Sequence, residues 1–316
     1  RFLIGGSVAV AFVTTLKLSS HWLPQRHYAL STGLLLVAGM TGAVFAGFPL
    51  HAVSLAFGWR EVTMASSLLA ALMTVLVFWY LRDDPSEQGF QSYLEASSGN
   101  QEKPQILKSL HQVMTYRNTW FLFIAPGGVV GAVLTFSGLW GVPFLSDVYK
   151  LDDATAALIC SFIMLAWALS GPAFSMISER ILLRRRPYLL GSMISLFSWT
   201  LVFWIPNWSL GVLCTLLFLA GFFSGGMILG FAQGKETLPP SLSGTVTGVI
   251  NMGVLFGPML LQPLVGILLD FSNTSVLKTK EGLNVFTLED YQIAFLPLLL
   301  WLMISVVVLF LSRESY

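Results

Sequence analysis

Long apolar runs alternate with short polar breaks along the whole chain. Nine runs come close to the roughly 20 residues a helix needs to cross the hydrocarbon core of a bilayer. They are 1–22, 28–53, 62–81, 119–146, 154–178, 187–205, 208–232, 242–270 and 291–312. The longest polar interruption, 82–118, carries Pro, Ser, Gly and mixed charge. It ends in an amphipathic stretch around Ile106 to Met114, which predicts a helix lying along the membrane surface. The pattern therefore predicts an all-α integral membrane protein in three parts: helices over 1–81, a linker over 82–118, and a six-helix bundle over 119–316. A second polar insert, 271–290, joins the last two runs.

Composition agrees with this pattern. Of 316 residues, 55% are hydrophobic and 10% charged, and the mean hydropathy is +0.75. A soluble domain carries about 25% charge, so the solvent for this apolar surface is the bilayer. Cys160 and Cys214 both fall inside apolar runs, without metal-ligand spacing, and read as small buried hydrophobes. No metal or cofactor site is expected, and no nucleic-acid partner. His21, His27, His51 and His111 all lie near loops or helix ends. The Gly221–Gly225 segment lacks the G-x-S-x-G spacing and an intramembrane histidine base, so a small-residue packing face is expected there rather than a nucleophile.

Charge placement orients the chain. Alternating the loops puts Arg26, Arg82, Lys103, Lys108, Arg117, Arg180, Arg184, Arg185, Arg186, Lys235 and Arg313 on one side, eleven in all. Arg60, Lys150, Lys278 and Lys280, four in all, fall on the other. Basic residues are retained in the cytoplasm, which predicts an inner-membrane, multi-pass protein with a cytoplasmic C-terminus. Nine crossings then place Arg1 towards the outer face, and an odd number of helices is expected upstream.

Several motifs resemble those of major facilitator carriers. Arg1-Phe2-Leu3-Ile4-Gly5 resembles the R-x-x-x-G signature of the family's fourth helix, and Gly58-Trp59-Arg60 its G-W-R between helices five and six. The segment Gly171 to Pro187 is similar to the loop between helices eight and nine, with Ser175 and Glu179 departing from the usual Gly and Asp. Leu139 to Pro143 and the stretch from Phe231 to Met252 resemble a bacterial branch related to lysosomal dipeptide carriers. The resemblance implies the major facilitator fold, with the nine runs as helices four to twelve of an expected twelve. It also implies that these residues alone do not transport.

The same resemblance points to candidate site residues. The family's cavity-lining helices correspond to the first, fourth and seventh runs. Phe136 and Trp140 are one helical turn apart and should share a face, as should Phe223 and Met227. Asn251 and Gln262 are amides that need partners in lipid. Arg1, Phe136, Trp140, Phe223, Met227, Asn251 and Gln262 are the substrate-binding candidates. Glu179, Arg180 and Arg184 are the gating candidates, since a carboxylate between two membrane helices can pair with a guanidinium and latch one side shut. Gly244, Gly248, Gly253 and Gly257 are expected at close helix contacts. Lys17 is expected to snorkel to the interface. No Asp or Glu lies mid-membrane, so any proton-coupling carboxylate lies upstream or the carrier is a uniporter. The expected function is a monomeric carrier of a small polar metabolite (an amino acid, dipeptide, organic acid or sugar phosphate) with protons as the candidate coupling ion. The alternative is a non-transporting membrane sensor or assembly factor on the same fold.

Overall fold

The protein is described by a computed structural model covering residues 11–23, 38–39, 41–42, 45–46, 48–83, 85–90, 106–239, 242–272 and 286–314. Among these residues every regular element is helical. The chain divides into two compact units, Arg1–Lys103 and Pro104–Tyr316. The division falls inside the polar 82–118 segment.

The first unit contains α1 (Ala11–Trp22), α2 (Phe48–Phe57) and α3 (Trp59–Tyr80), then a 3-10 turn at Pro85–Gln88. The chain turns from α2 into α3 at Gly58, whose φ of 88° lies in the left-handed region that favours glycine. The Arg60 guanidinium sits 4.3 Å over the Trp59 ring, an arrangement suited to a membrane–water boundary. Trp22 Nε1 donates to the Arg82 carbonyl at 3.0 Å, tying α1 to the chain after α3.

The second unit opens with the amphipathic helix α4 (Ile106–Thr115). Val113 is its buried anchor, packed with Leu110 and Met114 over Leu122, Leu238, Leu242, Val246, Val249 and Ile250. Trp120 Nε1 takes the Met114 carbonyl at 2.9 Å, satisfying one acceptor that the last turn leaves open. The bundle follows: α5 (Arg117–Thr135), a π-type turn at Phe136–Trp140, α6 (Gly141–Tyr149), α7 (Asp153–Ile181), α8 (Arg185–Trp204), α9 (Leu210–Ser224), a 3-10 turn at Gly225–Met227, α10 (Ile228–Thr237), α11 (Ser243–Ser272) and α12 (Leu288–Leu311).

Seven helical stretches are long and apolar enough to span a membrane: 59–80, 117–149, 153–181, 185–204, 210–237, 244–272 and 288–311. They match the last seven runs of the sequence to within a few residues. Only parts of the first two runs, 1–22 and 28–53, are described, and Arg1 and the Lys17 side chain lie outside the described residues, so the described spans number seven against the nine expected.

Lipid offers little apolar drive for helix association, so close backbone packing carries it. α5 lies against α11 and α12. A Cβ on Gly257 would collide with the Gly127 carbonyl, and one on Gly253 with that of Phe123. Gly128 has no room for a side chain beside Trp301 and Ser305. On the other side, α9 packs on α7 and α8. Gly221 there abuts the Ile163 carbonyl, Gly225 abuts Ser170, and Ser195 hydrogen-bonds Ser224 at 2.9 Å. Among the described residues, nothing lies within 4 Å of a Cβ placed on Gly244 or Gly248, so the close contacts expected on this helix are seen at Gly253 and Gly257. An aromatic cluster of Phe136, Phe144, Trp199, Phe203, Tyr291 and Phe295 joins α6, α8 and α12.

Candidate functional site

Two of the bundle's membrane spans change helical pitch near their middles while staying continuous. The first changes between α5 and α6 at the π-type turn, the second between α9 and α10 at Gly225–Met227. Such interruptions of the α-helical pitch are common at functional sites in helices, since they free backbone groups and re-aim side chains. α5 contacts both α9 and the 3-10 turn, so the two interrupted spans are neighbours.

Phe136 and Trp140, at the two ends of the π-type turn, meet different neighbouring helices. Phe136 is fully buried against Phe144, Trp199, Phe203 and Phe295. Trp140 turns instead to α11, where its Nε1 donates to the Gln262 carbonyl at 2.9 Å. Gln262 reciprocates, its Nε2 donating to the Leu134 carbonyl at 3.1 Å. The pair stitches the broken span to α11, and the amide finds its partner in backbone at the break. Asn251 stands half-buried about three turns earlier on the same helix. Phe223 meets Phe174 and Phe222 edge-on, and Met227 is half-buried in the 3-10 turn. The structure thus brings Trp140 and Gln262 together and takes Phe136 into the core.

One end of the bundle carries the arginines. Arg184 forms an ion pair with Glu236 at 3.0 Å and donates to Ser178 Oγ at 3.0 Å. The backbone N–H groups of Arg184 and Arg185, the open donors at the start of α8, both donate to one Glu314 carboxylate oxygen at 2.8 Å. A carboxylate there meets the positive end of the helix dipole. Arg185 Nη1 reaches the Ser312 carbonyl at 2.8 Å, and Gln233 Nε2 the Arg313 carbonyl at 2.6 Å. Asn118 accepts from the Arg313 N–H at 3.0 Å and donates to Thr237 at 3.1 Å. The first turn of α5 and the ends of α7, α8, α10 and α12 are therefore knotted together.

Glu179 and Arg180 are exposed at the end of α7. The carboxylates that meet Arg184 and its backbone are Glu236 and Glu314, 52 and 130 positions away. Of the three gating candidates, Arg184 is tied to other helices, by carboxylates that lie outside the Gly171–Pro187 motif. The sequence offered no signal for Glu236 or Glu314, since neither belongs to a local motif.

The opposite end is acidic. Asp152 caps α7 by accepting from the Thr155 N–H at 2.9 Å. That hydrogen bond holds its carboxyl below the usual carboxylate range. Thr287 and Asp290 form a reciprocal capping box at the start of α12. Asp147, on α6, accepts from Tyr291 Oη at 2.8 Å and from the Phe286 N–H at 3.4 Å. Cys160 is buried and Cys214 half-buried, both as free thiols. No cluster of His, Cys, Asp and Glu fit to hold a metal occurs among the described residues.

With this geometry in hand, likeness to known proteins settles the family. The pattern of the Major Facilitator Superfamily matches residues 1–261 and, in a second overlapping placement, 138–315. The chain belongs to the major facilitator superfamily. It is 25% identical over 297 residues to the uncharacterized transporter YybO of Bacillus subtilis (strain 168), covering 88% of this chain and 67% of that protein. Its fold is similar to that of a bacterial homolog of the human lysosomal transporter Spinster, crystallised inward-facing and unoccupied. The TM-score is 0.65 and the identity 16%, over 94% of this chain and 73% of the other. The occupied inward-facing form of that homolog gives a TM-score of 0.62 at 14% identity, over 94% and 72%. The protein is thus a multi-pass membrane transport protein, and the fold named from its motifs is the one it has.

Proposed function

We propose that this protein is a carrier that moves a small polar metabolite across the inner membrane by alternating access, with the arginine-rich end of the bundle in the cytoplasm. The observation that carries the reading is the pair of neighbouring interrupted spans, with Trp140 and Gln262 stitched across one break. Secondary carriers hold substrate near the bilayer midplane, at the interface between their repeats. Membership of a transporter family supports transport rather than catalysis. The one-sided gathering of Arg117, Arg184, Lys235 and Arg313 supports the orientation.

Substrate recognition is assigned to Trp140, Asn251, Gln262, Phe223 and Met227, together with Arg1. Phe136 acts through packing. An anion would call for two or more basic groups in the cavity, and the spans of the second unit contain none near their middles. This favours a zwitterionic or neutral substrate, such as an amino acid or dipeptide, over an organic acid or sugar phosphate. The inner latch is reassigned to Arg184 and Glu236. Arg184 lies at the start of α8 and Glu236 in the last turn of α10, the short helix beyond the second break.

The test is uptake into proteoliposomes containing the purified full-length carrier, using pools of labelled amino acids, dipeptides, organic acids and sugar phosphates. Accumulation from the amino-acid or dipeptide pool above protein-free liposomes is expected. Equal signals with and without protein in all four pools would overturn the reading.

A further inference from the structure

We propose that Asp147 and Tyr291 form a second latch, at the end of the bundle opposite Arg184, and that it holds α6 shut over the outer side of the carrier. The proposal rests on the carrier reading above and adds a positioning pair to it. The two interrupted spans are built alike. Each runs as a long helix to its break and continues as a short segment, α6 in one and α10 in the other. The short segments point to opposite ends, and each is tied there by a carboxylate. Glu236 ties α10 to the start of α8 through Arg184 at 3.0 Å. Asp147 ties α6 to the start of α12 through Tyr291 Oη at 2.8 Å, with the Phe286 N–H at 3.4 Å on the same oxygen.

The setting of the second pair suits a latch. The Tyr291 ring is fully buried against Phe144, Phe286 and Phe295, so its hydroxyl is held in place. The neighbouring Asp290 does not compete for it, being engaged with the Thr287 backbone and hydroxyl at 2.8 Å each. α6 begins at Gly141, where a Cβ would meet the Phe136 carbonyl at 2.8 Å. The helix is therefore separated from α5 by a wide turn and a glycine. Its far end is held by the buried Phe144 and Leu145 and by two hydrogen bonds, Asp147 to α12 and Ser146 to Asp153 of α7 at 2.9 Å. Breaking the charge-assisted bond to Tyr291 then loosens the exposed end of the segment while its apolar packing keeps it on the bundle.

Hydrogen exchange on the protein in lipid nanodiscs, without substrate, reads each latch separately. Tyr291→Phe keeps the ring and removes the hydroxyl. It should speed amide exchange in 141–149 by about tenfold, the scale of one lost hydrogen bond to a charged group, and leave 228–237 unchanged. Glu236→Gln should do the reverse. Asp147→Asn should act as Tyr291→Phe does, more weakly, and carries the test if the tyrosine variant does not fold. Exchange raised equally through α7, α8 and α12, or unchanged in 141–149, would overturn the latch. Because no substrate is present, that failure is separate from a failure of uptake, which would instead overturn the carrier reading.

Discussion

The two interrupted spans solve the same problem with different parts. The α5–α6 span widens at its π-type turn, where the Gln262 amide of α11 donates to the Leu134 carbonyl and the span's own Trp140 indole donates to the Gln262 backbone carbonyl. The α9–α10 span breaks by tightening, through Gly225 and Gly226, and its repair is steric: Gly225 abuts Ser170 and Gly226 lies against Phe174 and Tyr188. A widened turn needs polar donors brought in from a neighbour, whereas a tightened turn needs neighbours to come close. The first break is thus controlled by hydrogen bonds and the second by volume.

The largest effect is expected where volume dominates the partner helix. Gly257→Leu would drive a side chain into the Gly127 carbonyl on α5. The cost should reach or exceed about 3 kcal/mol, the upper range for overpacked cores, and the thermal unfolding temperature in detergent should drop sharply. Gly244→Leu, in open space on the same helix, should leave it nearly unchanged. Equal losses would mean that the α5–α11 seam is not the tight one.

At the widened break the effect should be smaller and fall on binding. Gln262→Leu removes the donor to Leu134 and should cost about 1 kcal/mol of stability. With Trp140→Ala it should weaken substrate binding more than Trp167→Ala, since Trp167 is buried on α7. A binding titration on purified protein checks the order, and a reversed order would send the site elsewhere.

These differences mark how far the sequence could be read. The seven described spans were legible because about 20 apolar residues in a row have few other uses. Gly253 and Gly257 were legible as contacts, though Gly244 and Gly248, at the same spacing, have no such contact among the described residues. Spacing gives the face of a helix but not what lies opposite it. Phe136 and Trp140 were legible as one turn apart, but not their separate partners, the aromatic core for Phe136 and the α11 backbone for Trp140, because spacing carries no record of the opposing helix. Arg184 was legible as a gating candidate, but its carboxylates Glu236 and Glu314 were not, since they are brought in by three-dimensional packing. Asp147 and Tyr291, 144 positions apart, were invisible for the same reason.

A moderate effect should separate the two carboxylates near the arginines. Glu236→Gln should cost up to about 1 kcal/mol, as partly exposed ion pairs do, and should favour the state open at the arginine end. Glu179→Gln should do neither. Equal labelling of a cysteine in the vestibule at that end, in both variants, would remove the distinction.

The smallest effect is expected at Asp152. Its carboxyl titrates below the ordinary value in the folded protein. The stability it contributes is therefore present above the unfolded pKa and lost as pH falls through the folded value. Asp152→Asn keeps a competent cap. It should leave the unfolding temperature at pH 7 nearly unchanged and flatten its fall under acid conditions, when melting is followed from pH 7 to pH 3. An unaltered acid profile would show that the cap carries no pH dependence.

Counterflow tests the central claim, that the protein carries substrate by exposing one site to each side in turn. Proteoliposomes loaded with unlabelled substrate from the active pool are diluted into a trace of the labelled compound. Alternating access predicts a transient overshoot of label inside, because the unlabelled load outcompetes the entering label for the carriers that face inward. Uptake that rises monotonically to equilibrium, and is indifferent to the internal load, would contradict it.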